Sequence, residues 1–152
     1  MGRDTRDLEA SLVLGAAPER VWSVVADVRR TPEWSPECRR VLVRGPVAVG
    51  SLLVGVNRRG PVVWLTRSRV HLLEPERAIG WTVLESGARW TYRLRPHRDG
   101  TLLEQRRTVP GGVPVAADVF ARLLLGGQDG HGDELEAGMR TGLERIRVLV
   151  GG

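Results

Sequence analysis

Apolar and polar residues alternate along most of the chain, and the alternation changes period at a few turn-forming sites. Leu8 to Leu14 predict a first strand. Pro18 suits the first turn of a helix, because its missing N–H needs no partner there. Apolar residues then recur at helical spacing, at Val21, Trp22, Val25 and Val28. Thr31-Pro32-Glu33-Trp34 pairs a cap with a proline, which predicts the start of a second, very short helix.

The middle of the chain carries strand and turn signals only. Glycine and proline pairs divide it into segments of period two. The predicted strands are Cys38–Arg44, Ser51–Arg58, Val62–Leu73, Ile79–Glu85, Ala88–Pro96 and Thr101–Val109. Ser86-Gly87 and Asp99-Gly100 are candidates for two-residue hairpin turns.

The last element is a long helix after a glycine-rich link, Gly126–Gly132. Acids are expected in its first turn and arginines near its end, which suits the helix dipole. Its apolar stripe is Leu135, Met139, Leu143, Ile146 and Val150. The order strand, two helices, six strands, long helix predicts an antiparallel sheet curled around the terminal helix. The length fits one domain over residues 1–152.

Several local motifs resemble one superfamily. Asp27 to Pro36, with Pro32 and Trp34, follows the first helix, and Gly55-Val56-Asn57 lies within a strand. Together with Val49-Gly50, Trp64 to Glu74-Pro75 and Gly138-Met139-Arg140, they resemble the polyketide cyclase/dehydrase branch of the START/Bet v 1-like (SRPBCC) superfamily.

The resemblance implies an α+β helix-grip fold. In that fold a curved antiparallel β-sheet wraps around a long C-terminal helix, with two short helices between strands 1 and 2. Members include lipid carriers, hormone receptors, aromatase/cyclases and chaperone activators, so fold alone does not decide function. The resemblance implies a hydrophobic small molecule, polyketide-like or lipid-like, as the ligand.

Strand alternation predicts which residues face inward. With two-residue turns at both hairpins, Trp81 pairs with Tyr92, and Tyr92 pairs with Arg107. The opposite, wet face then carries Arg89, Thr91, Arg93 and Arg95, with Glu104 opposite Arg95.

The inward set is rich in aromatic residues, as ligand pockets are. A plain Trp-rich core is the alternative. Gly142 lies at the centre of the helical stripe, where glycine costs about 1 kcal/mol relative to alanine. Either close packing on the sheet or space for a ligand justifies it. The predicted ligand-binding residues are Trp34, Asn57, Trp64, Trp81, Trp90, Tyr92, Gln105, Arg107, Phe120, Met139 and Gly142.

Tyr92 and Arg107 are the candidate catalytic residues, with Asn57 and Gln105 assisting. A phenol and a guanidinium side by side hold a carbonyl or stabilise an enolate in a dry site. Alternatively, Arg107 sends its charged head to water. Strand alternation places Glu85 on the inward face, but its position at a turn favours exposure of its carboxylate to solvent.

The segment Pro110 to Leu125 is expected to cover the cavity mouth, if the family layout holds. Phe120, Leu123, Leu124 and Leu125 are then lid residues. Ordinary core packing and a small membrane-contact patch are the alternatives.

Composition narrows the chemistry further. The histidines, His71, His97 and His131, lack metal-ligand spacing, and His71 is expected to face outward. Cys38 is the single cysteine and reads as a structural thiol. The sequence contains neither a phosphate-binding loop nor the serine-hydrolase elbow, so no nucleotide cofactor is expected. Together with the histidine spacing, this predicts a protein with neither metal nor cofactor.

Charge and hydropathy bear on partners and location. The net charge is +5, every basic residue is arginine, and the arginines are spread among 18 acids. This pattern argues against nucleic acid as the partner. Neither a membrane span nor a signal peptide is present, which predicts a cytoplasmic protein without stable membrane insertion.

Three functions stay open at this point. The first is a cavity protein that binds a hydrophobic molecule, with cyclisation or dehydration of that molecule unresolved. The second is a non-catalytic lipid or quinone carrier or ligand sensor. The third is a protein-interaction module with a filled interior, and a homodimer is one alternative for the assembly.

Overall fold

The computed structural model of the chain describes residues 7–110 and 128–151, with the side chains of the last helix described from residue 134 onward. Its helices are α1 (Pro18–Val25), a 3₁₀ helix (Val28–Glu33) and α2 (Gln128–Val150). Its strands are β1 (Leu8–Leu14), β2 (Cys38–Leu42), β3 (Leu52–Arg59), β4 (Val62–Glu74), β5 (Ala78–Val83), β6 (Arg89–His97) and β7 (Gly100–Thr108).

The strands form one antiparallel sheet in the order β1-β7-β6-β5-β4-β3-β2. The first strand therefore pairs with the last, and β2 lies at the opposite edge. The curved sheet grips α2, and the two short helices lie between β1 and β2. The expected helix-grip α+β fold is confirmed.

The core lies where α2 and α1 cover one end of the sheet. Met139, Leu143, Ile146 and Val150 of the predicted stripe are buried, and Leu135 is partly buried. Leu143, Ile146 and Val150 belong to one core cluster with inward residues of the sheet that include Leu14, Ile79, Leu94 and Leu103. The buried faces of α2 and of these strands are thus the ones that the helical and strand periodicities predicted.

Two helix starts differ from the sequence-based expectation. The short helix begins at Val28, so Thr31 and Pro32 lie inside it. The Thr31 hydroxyl donates to the Val28 carbonyl oxygen at 2.6 Å and therefore does not cap the helix start. The terminal helix begins at Gln128, within the predicted link, which places Glu134 and Glu136 beyond its first turn. Single glycines cost a helix only about 1 kcal/mol each, so they do not stop it.

Both hairpin registers around β6 differ from the prediction by two residues. Trp81 lies opposite Trp90, and Tyr92 lies opposite Gln105. The loop between β5 and β6 has four residues, Leu84 to Gly87, because the Val83 N–H donates to the Ala88 carbonyl across it. The tight turn after β6 is Arg98-Asp99, since His97 already pairs with Gly100.

A shift of two keeps every side chain on its predicted face. Arg89, Arg93 and Arg95 are exposed on the outer face, as expected. Glu104 lies opposite Arg93, which corrects the predicted Arg95 pairing, and reaches Arg95 diagonally at 2.6 Å.

Candidate ligand-binding cavity

A large cavity lies between the inward face of the sheet and residues 134–145 of α2. Its volume is about 1160 Å³, bounded by residues that the structure describes. Trp34, Leu53 and Tyr92 belong to the core and also line the cavity, and beyond them the inward side chains of the described strands border open space. Its principal lining residues are Trp34, Leu53, Asn57, Trp64, Thr66, Ser68, Trp81, Val83, Trp90, Tyr92, Gln105, Arg107, Met139 and Gly142.

Aromatic rings form much of the cavity wall. Trp34 and Tyr92 are buried, whereas Trp64, Trp81 and Trp90 are partly buried. The rings of Trp81 and Tyr92 lie 6.1 Å apart at an interplanar angle of 55°. This separation suits a tilted aromatic pair. Four of the five tryptophans therefore border the cavity, because only Trp22 lies outside its lining.

Tyr92 is a neutral hydrogen-bonding group in this wall. Burial raises the pKa of Tyr92 to about 12, while a side-chain hydrogen bond with Trp34 acts in the opposite direction. An indole has only an N–H donor, so the Tyr92 oxygen is the acceptor in that bond. The phenol keeps its own hydrogen and can donate it to a second group.

Gln105 and Arg107 lie on β7 beside these aromatics, and both are buried. Gln105 is the cross-strand neighbour of Tyr92, and Arg107 is the neighbour of Trp90. The structure thus corrects the predicted Tyr92–Arg107 pair: the residues are diagonal neighbours on one face. Cross-strand partners on one face of a sheet are close enough for their side chains to interact, so Gln105 is the neighbour of Tyr92 in the cavity wall.

A short polar row crosses the opposite wall. The Asn57 amide donates to the Thr66 hydroxyl at 3.3 Å and to the Trp64 carbonyl at 3.5 Å. The Asn57 amide therefore makes both of these hydrogen bonds within the β3–β4 hairpin. Sequence reasoning missed Thr66 and Ser68, although alternation from Trp64 along β4 places both of them inward.

Charged residues gather at the end of the cavity near the β3–β4 hairpin. Arg59 forms an ion pair with Glu134 of α2, which joins the hairpin to the helix. Burial raises the pKa of Glu37 beside them, while the Arg59 charge opposes that rise. These residues come from three distant parts of the chain. The local sequence pattern therefore could not predict that they lie close together.

Gly142 packs on the residue that follows the 3₁₀ helix. A Cβ atom there meets the Trp34 carbonyl oxygen at 3.5 Å and Trp34 Cδ1 at 3.7 Å. Both are ordinary contacts. The neighbour is therefore Trp34, not the sheet, and the site has room for a methyl group.

The remaining candidates are placed as follows. Cys38 is buried, and burial raises the pKa of its thiol, which suits an inert structural role. Glu85 is bound by Arg67 at 2.7 Å, in keeping with a partly solvated turn residue. His71 is exposed, as expected. Phe120 and the other predicted lid residues lie outside the described part of the chain.

The described residues also bear on metal binding and on membrane crossing. Across 7–110 and 134–151, the histidines, cysteines and acids form no group of three that could hold a metal ion. Of the helices in the described parts of the chain, none combines the length and apolar character needed to cross a bilayer.

Several solved structures share this fold. The di-domain ARO/CYC StfQ from the steffimycin biosynthetic pathway matches with a TM-score of 0.74 at 19% identity over 93% of this chain. The chain spans about half of that two-domain protein, 49% of its length. At this identity the likeness shows the fold alone.

Two single-domain structures match over nearly their whole length. The Polyketide_cyc-like protein Cgl2372 from Corynebacterium glutamicum is 29% identical, with a TM-score of 0.59, over 95% of this chain and 90% of its own. Protein CV1439 from Chromobacterium violaceum is 20% identical, with a TM-score of 0.68, over 96% of this chain and 98% of its own. No curated protein sequence matches the chain.

The family assignment rests on a sequence profile described as polyketide cyclase / dehydrase and lipid transport. The profile matches residues 5–149, nearly the whole chain. By this match the chain belongs to the polyketide cyclase/dehydrase and lipid transport family.

Proposed function

We propose that the protein binds a hydrophobic small molecule, polyketide-like or lipid-like, in the cavity between the sheet and α2. The observation that carries the proposal is the cavity itself, about 1160 Å³ in volume and walled by four tryptophans and one tyrosine. Small-molecule sites are mostly apolar hollows with a few placed polar groups, and the largest measure about 1,000 Å³. Family membership supports the same ligand class.

The proposed ligand contacts are the predicted set. The apolar body of the ligand lies on Trp64, Trp81 and Trp90, while Met139 closes the helix side. Tyr92 and Gln105 supply neighbouring polar atoms on β6 and β7. Asn57 contributes less than expected, because both of its amide donor contacts are made to the β4 strand. Phe120 stays a proposal from sequence alone.

A catalytic role is the finer proposal, with Tyr92 as a hydrogen-bond donor and Arg107 as a fixed positive charge. Because the pKa of Tyr92 is about 12, its phenol is protonated at neutral pH and does not serve as a base. A donor of this kind stabilises a carbonyl oxygen that gains negative charge in the transition state. Holding a flexible chain in one folded conformation adds a second rate effect.

The interaction module with a filled interior fits less well. That function needs no ligand-sized space, whereas the described residues border a large one. The carrier or sensor function shares the cavity and differs only in the fate of the ligand. Recovery of the ligand after binding therefore separates the carrier from the enzyme.

The test begins with purified protein, extracted under denaturing conditions and examined by mass spectrometry for a bound molecule. Its chemical class then selects a panel of linear polyketide mimics, fatty acids and quinones for incubation. Changed product masses support an enzyme, and unchanged ligand supports a carrier. A protein that carries no ligand and takes up no panel member overturns the proposal.

The catalytic residues have their own variants. Tyr92→Phe and Arg107→Met are expected to reduce turnover of any substrate so identified while leaving the native circular dichroism unchanged. Thr91→Ser, on the outer face of the same strand, is the matched control. Full turnover in the double variant contradicts the catalytic assignment without affecting the binding proposal.

A further inference from the structure

One patch of the outer sheet surface is both apolar and basic. The registers of β2, β3 and β4 place a continuous set of side chains on the face away from the cavity. We call this set the outer patch. Its apolar members are Leu42, Leu52, Val54, Val56, Val63 and Leu65, and its basic members are Arg40, Arg58, Arg67 and Arg69.

Four of the six apolar members are exposed, and Val54 and Val56 are partly exposed. The exposed fractions are 60% for Leu65 and 59% for Val63, and Leu42 and Leu52 are exposed as well. They are neighbours across the strands, since Val56 pairs with Leu65 and Leu42 pairs with Val54. A contiguous apolar surface of this kind marks an interaction site, in contrast to scattered single residues.

The charge of the outer patch has one sign. Of its four arginines, Arg67 is paired, with Glu85 from the β5–β6 loop. Arg58 and Arg69 instead donate to backbone carbonyl oxygens of Gly60 and Gly50. The outward positions of β2, β3 and residues 62–69 of β4 contain no Asp or Glu, and the first outward acid beyond them is Glu74 at the far end of β4. The surface therefore complements a negatively charged partner.

The outer patch also adjoins the cavity. Arg58, Gly60 and Leu65, at the end of the β3–β4 hairpin, are among the residues that border the cavity. A hydrophobic ligand is poorly soluble in water and has to come from an apolar phase or from another protein. A surface that carries aliphatic side chains and cations beside the cavity suits the first source.

We propose that the outer patch docks the protein on an anionic lipid membrane, so that a hydrophobic ligand passes between the bilayer and the cavity. The docking is peripheral and uses strands, with the aliphatic side chains entering the interface and the arginines lying at the lipid phosphates. The proposal rests on the proposed function for the passage of ligand, whereas the docking itself is tested separately.

Nucleic acid is disfavoured as the occupant because single-strand sites stack bases on aromatic rings. All of the tryptophans in β3 to β6 face the cavity, not the outer patch. An acidic protein is the other occupant that the charge permits, and it is one outcome of the test.

The test is flotation of the full chain with vesicles. Binding is expected to vesicles of mixed phosphatidylcholine and phosphatidylglycerol, to weaken with added salt, and to be absent with phosphatidylcholine alone. Each arginine near an anionic surface contributes about a fivefold factor in partitioning, so the Arg40→Gln, Arg69→Gln double variant is expected to bind roughly 25-fold more weakly. Leu42→Ser is expected to weaken binding roughly tenfold.

Arg98→Gln is the matched control, because Arg98 is exposed in the β6–β7 turn at the opposite end of the sheet. It is expected to bind vesicles as the unchanged protein does. Equal binding of the outer-patch variants and the control overturns the proposal, as does equal binding to neutral and anionic vesicles. A third result is that the protein does not float with vesicles but binds an acidic protein, and that the outer-patch variants lose this binding. In that case the partner of the outer patch is a protein and not a membrane.

Binding of a soluble apolar dye distinguishes the two proposals. The outer-patch variants are expected to take up N-phenyl-1-naphthylamine as the unchanged protein does, because Arg40, Leu42 and Arg69 are not among the residues that border the cavity. If the dye binds and the vesicles do not, the docking fails while the proposed function stands. If the vesicles bind and the dye does not, the proposed function fails while the docking stands.

Discussion

The Trp34 side chain lies beside the buried phenol of Tyr92, where it opposes the rise that burial causes in the pKa of that phenol. This contact joins the segment before β2 to the middle of β6. It fixes one wall of the cavity and leaves the phenol hydrogen available to a ligand. The environment of Tyr92 is therefore the most informative single feature of the cavity.

The titration of Tyr92 is the first prediction. Tyr92 is the only tyrosine of the chain, so tyrosinate absorbance reports this residue alone. Its folded pKa of about 12 lies above the unfolded value of 10.0. The folded protein therefore holds this proton more tightly, and the resulting stability is complete below pH 10 and is lost as the pH rises from 10 to about 12.

The size of that loss is roughly 3 kcal/mol in the free energy of unfolding, from a shift of about two units. The Tyr92→Phe variant lacks the titrating group. Over the same pH range its free energy of unfolding is expected to fall by roughly 3 kcal/mol less than that of the unchanged protein. Urea unfolding at several pH values measures the difference. An absorbance titration with a midpoint near pH 10 contradicts the burial of the phenol.

Gly100 gives the second prediction. It has a φ of 138°, and a Cβ atom there lies 2.1 Å from the Leu14 carbonyl oxygen. Gly100→Ala is expected to reduce the free energy of unfolding by about 3 kcal/mol or more, since backbone has to move. The matched control is Gly87→Ala, where φ is 77° but no atom is near, with an expected loss of about 1 kcal/mol. Equal losses contradict the close approach of β1.

The same glycine explains why the hairpin registers were not predictable. A glycine after Asp99 indicates a turn centre, but Gly100 is glycine because β1 lies against it. That contact joins residues far apart in sequence and has no local signature. The loop at Leu84 to Gly87 similarly depends on the Val83–Ala88 pairing. Inward and outward faces were predictable nonetheless. Both register errors equal two residues, and a shift of two leaves each side chain on the same face of its strand.

The cavity was predictable in kind but not in detail. Alternation identified Trp64, Trp81, Trp90 and Tyr92 as one face, and the structure brings them together around the cavity. The positions of Arg107 and Trp34 relative to Tyr92 depended on register and on a long-range contact. The outer patch escaped notice because its arginines are dispersed in sequence and meet only when the strands pair.

Gly142 gives the third prediction. Because a methyl group there meets Trp34 at ordinary contact distances, Gly142→Ala is expected to raise the free energy of unfolding by about 1 kcal/mol. Thermal or urea unfolding measures the gain. Gly142→Leu is the companion variant, with a side chain too large for the space beside Trp34, and it is expected to destabilise the fold. A destabilised alanine variant contradicts the packing of Trp34 on α2.

The ion pair of Arg59 and Glu134 gives the fourth prediction. Both side chains are partly exposed, at 35% and 47%, so the pair is expected to contribute less than about 1 kcal/mol to folding. Glu134→Gln therefore leaves stability nearly unchanged but loosens the link between the β3–β4 hairpin and α2. Faster dye entry and release in stopped-flow fluorescence is the expected result. Unchanged rates contradict a role for the pair at the cavity opening.

Titration with N-phenyl-1-naphthylamine tests the cavity in solution. Trp22→Phe removes the one tryptophan outside the lining, so energy transfer to the dye then reports only cavity tryptophans. Ser68→Phe places a ring into the cavity from its buried, inward position, and Val13→Phe on the outer face of β1 is its control. Saturable one-to-one transfer that falls in Ser68→Phe but not in Val13→Phe is the predicted result. No transfer, or equal transfer in both variants, contradicts a ligand-binding cavity.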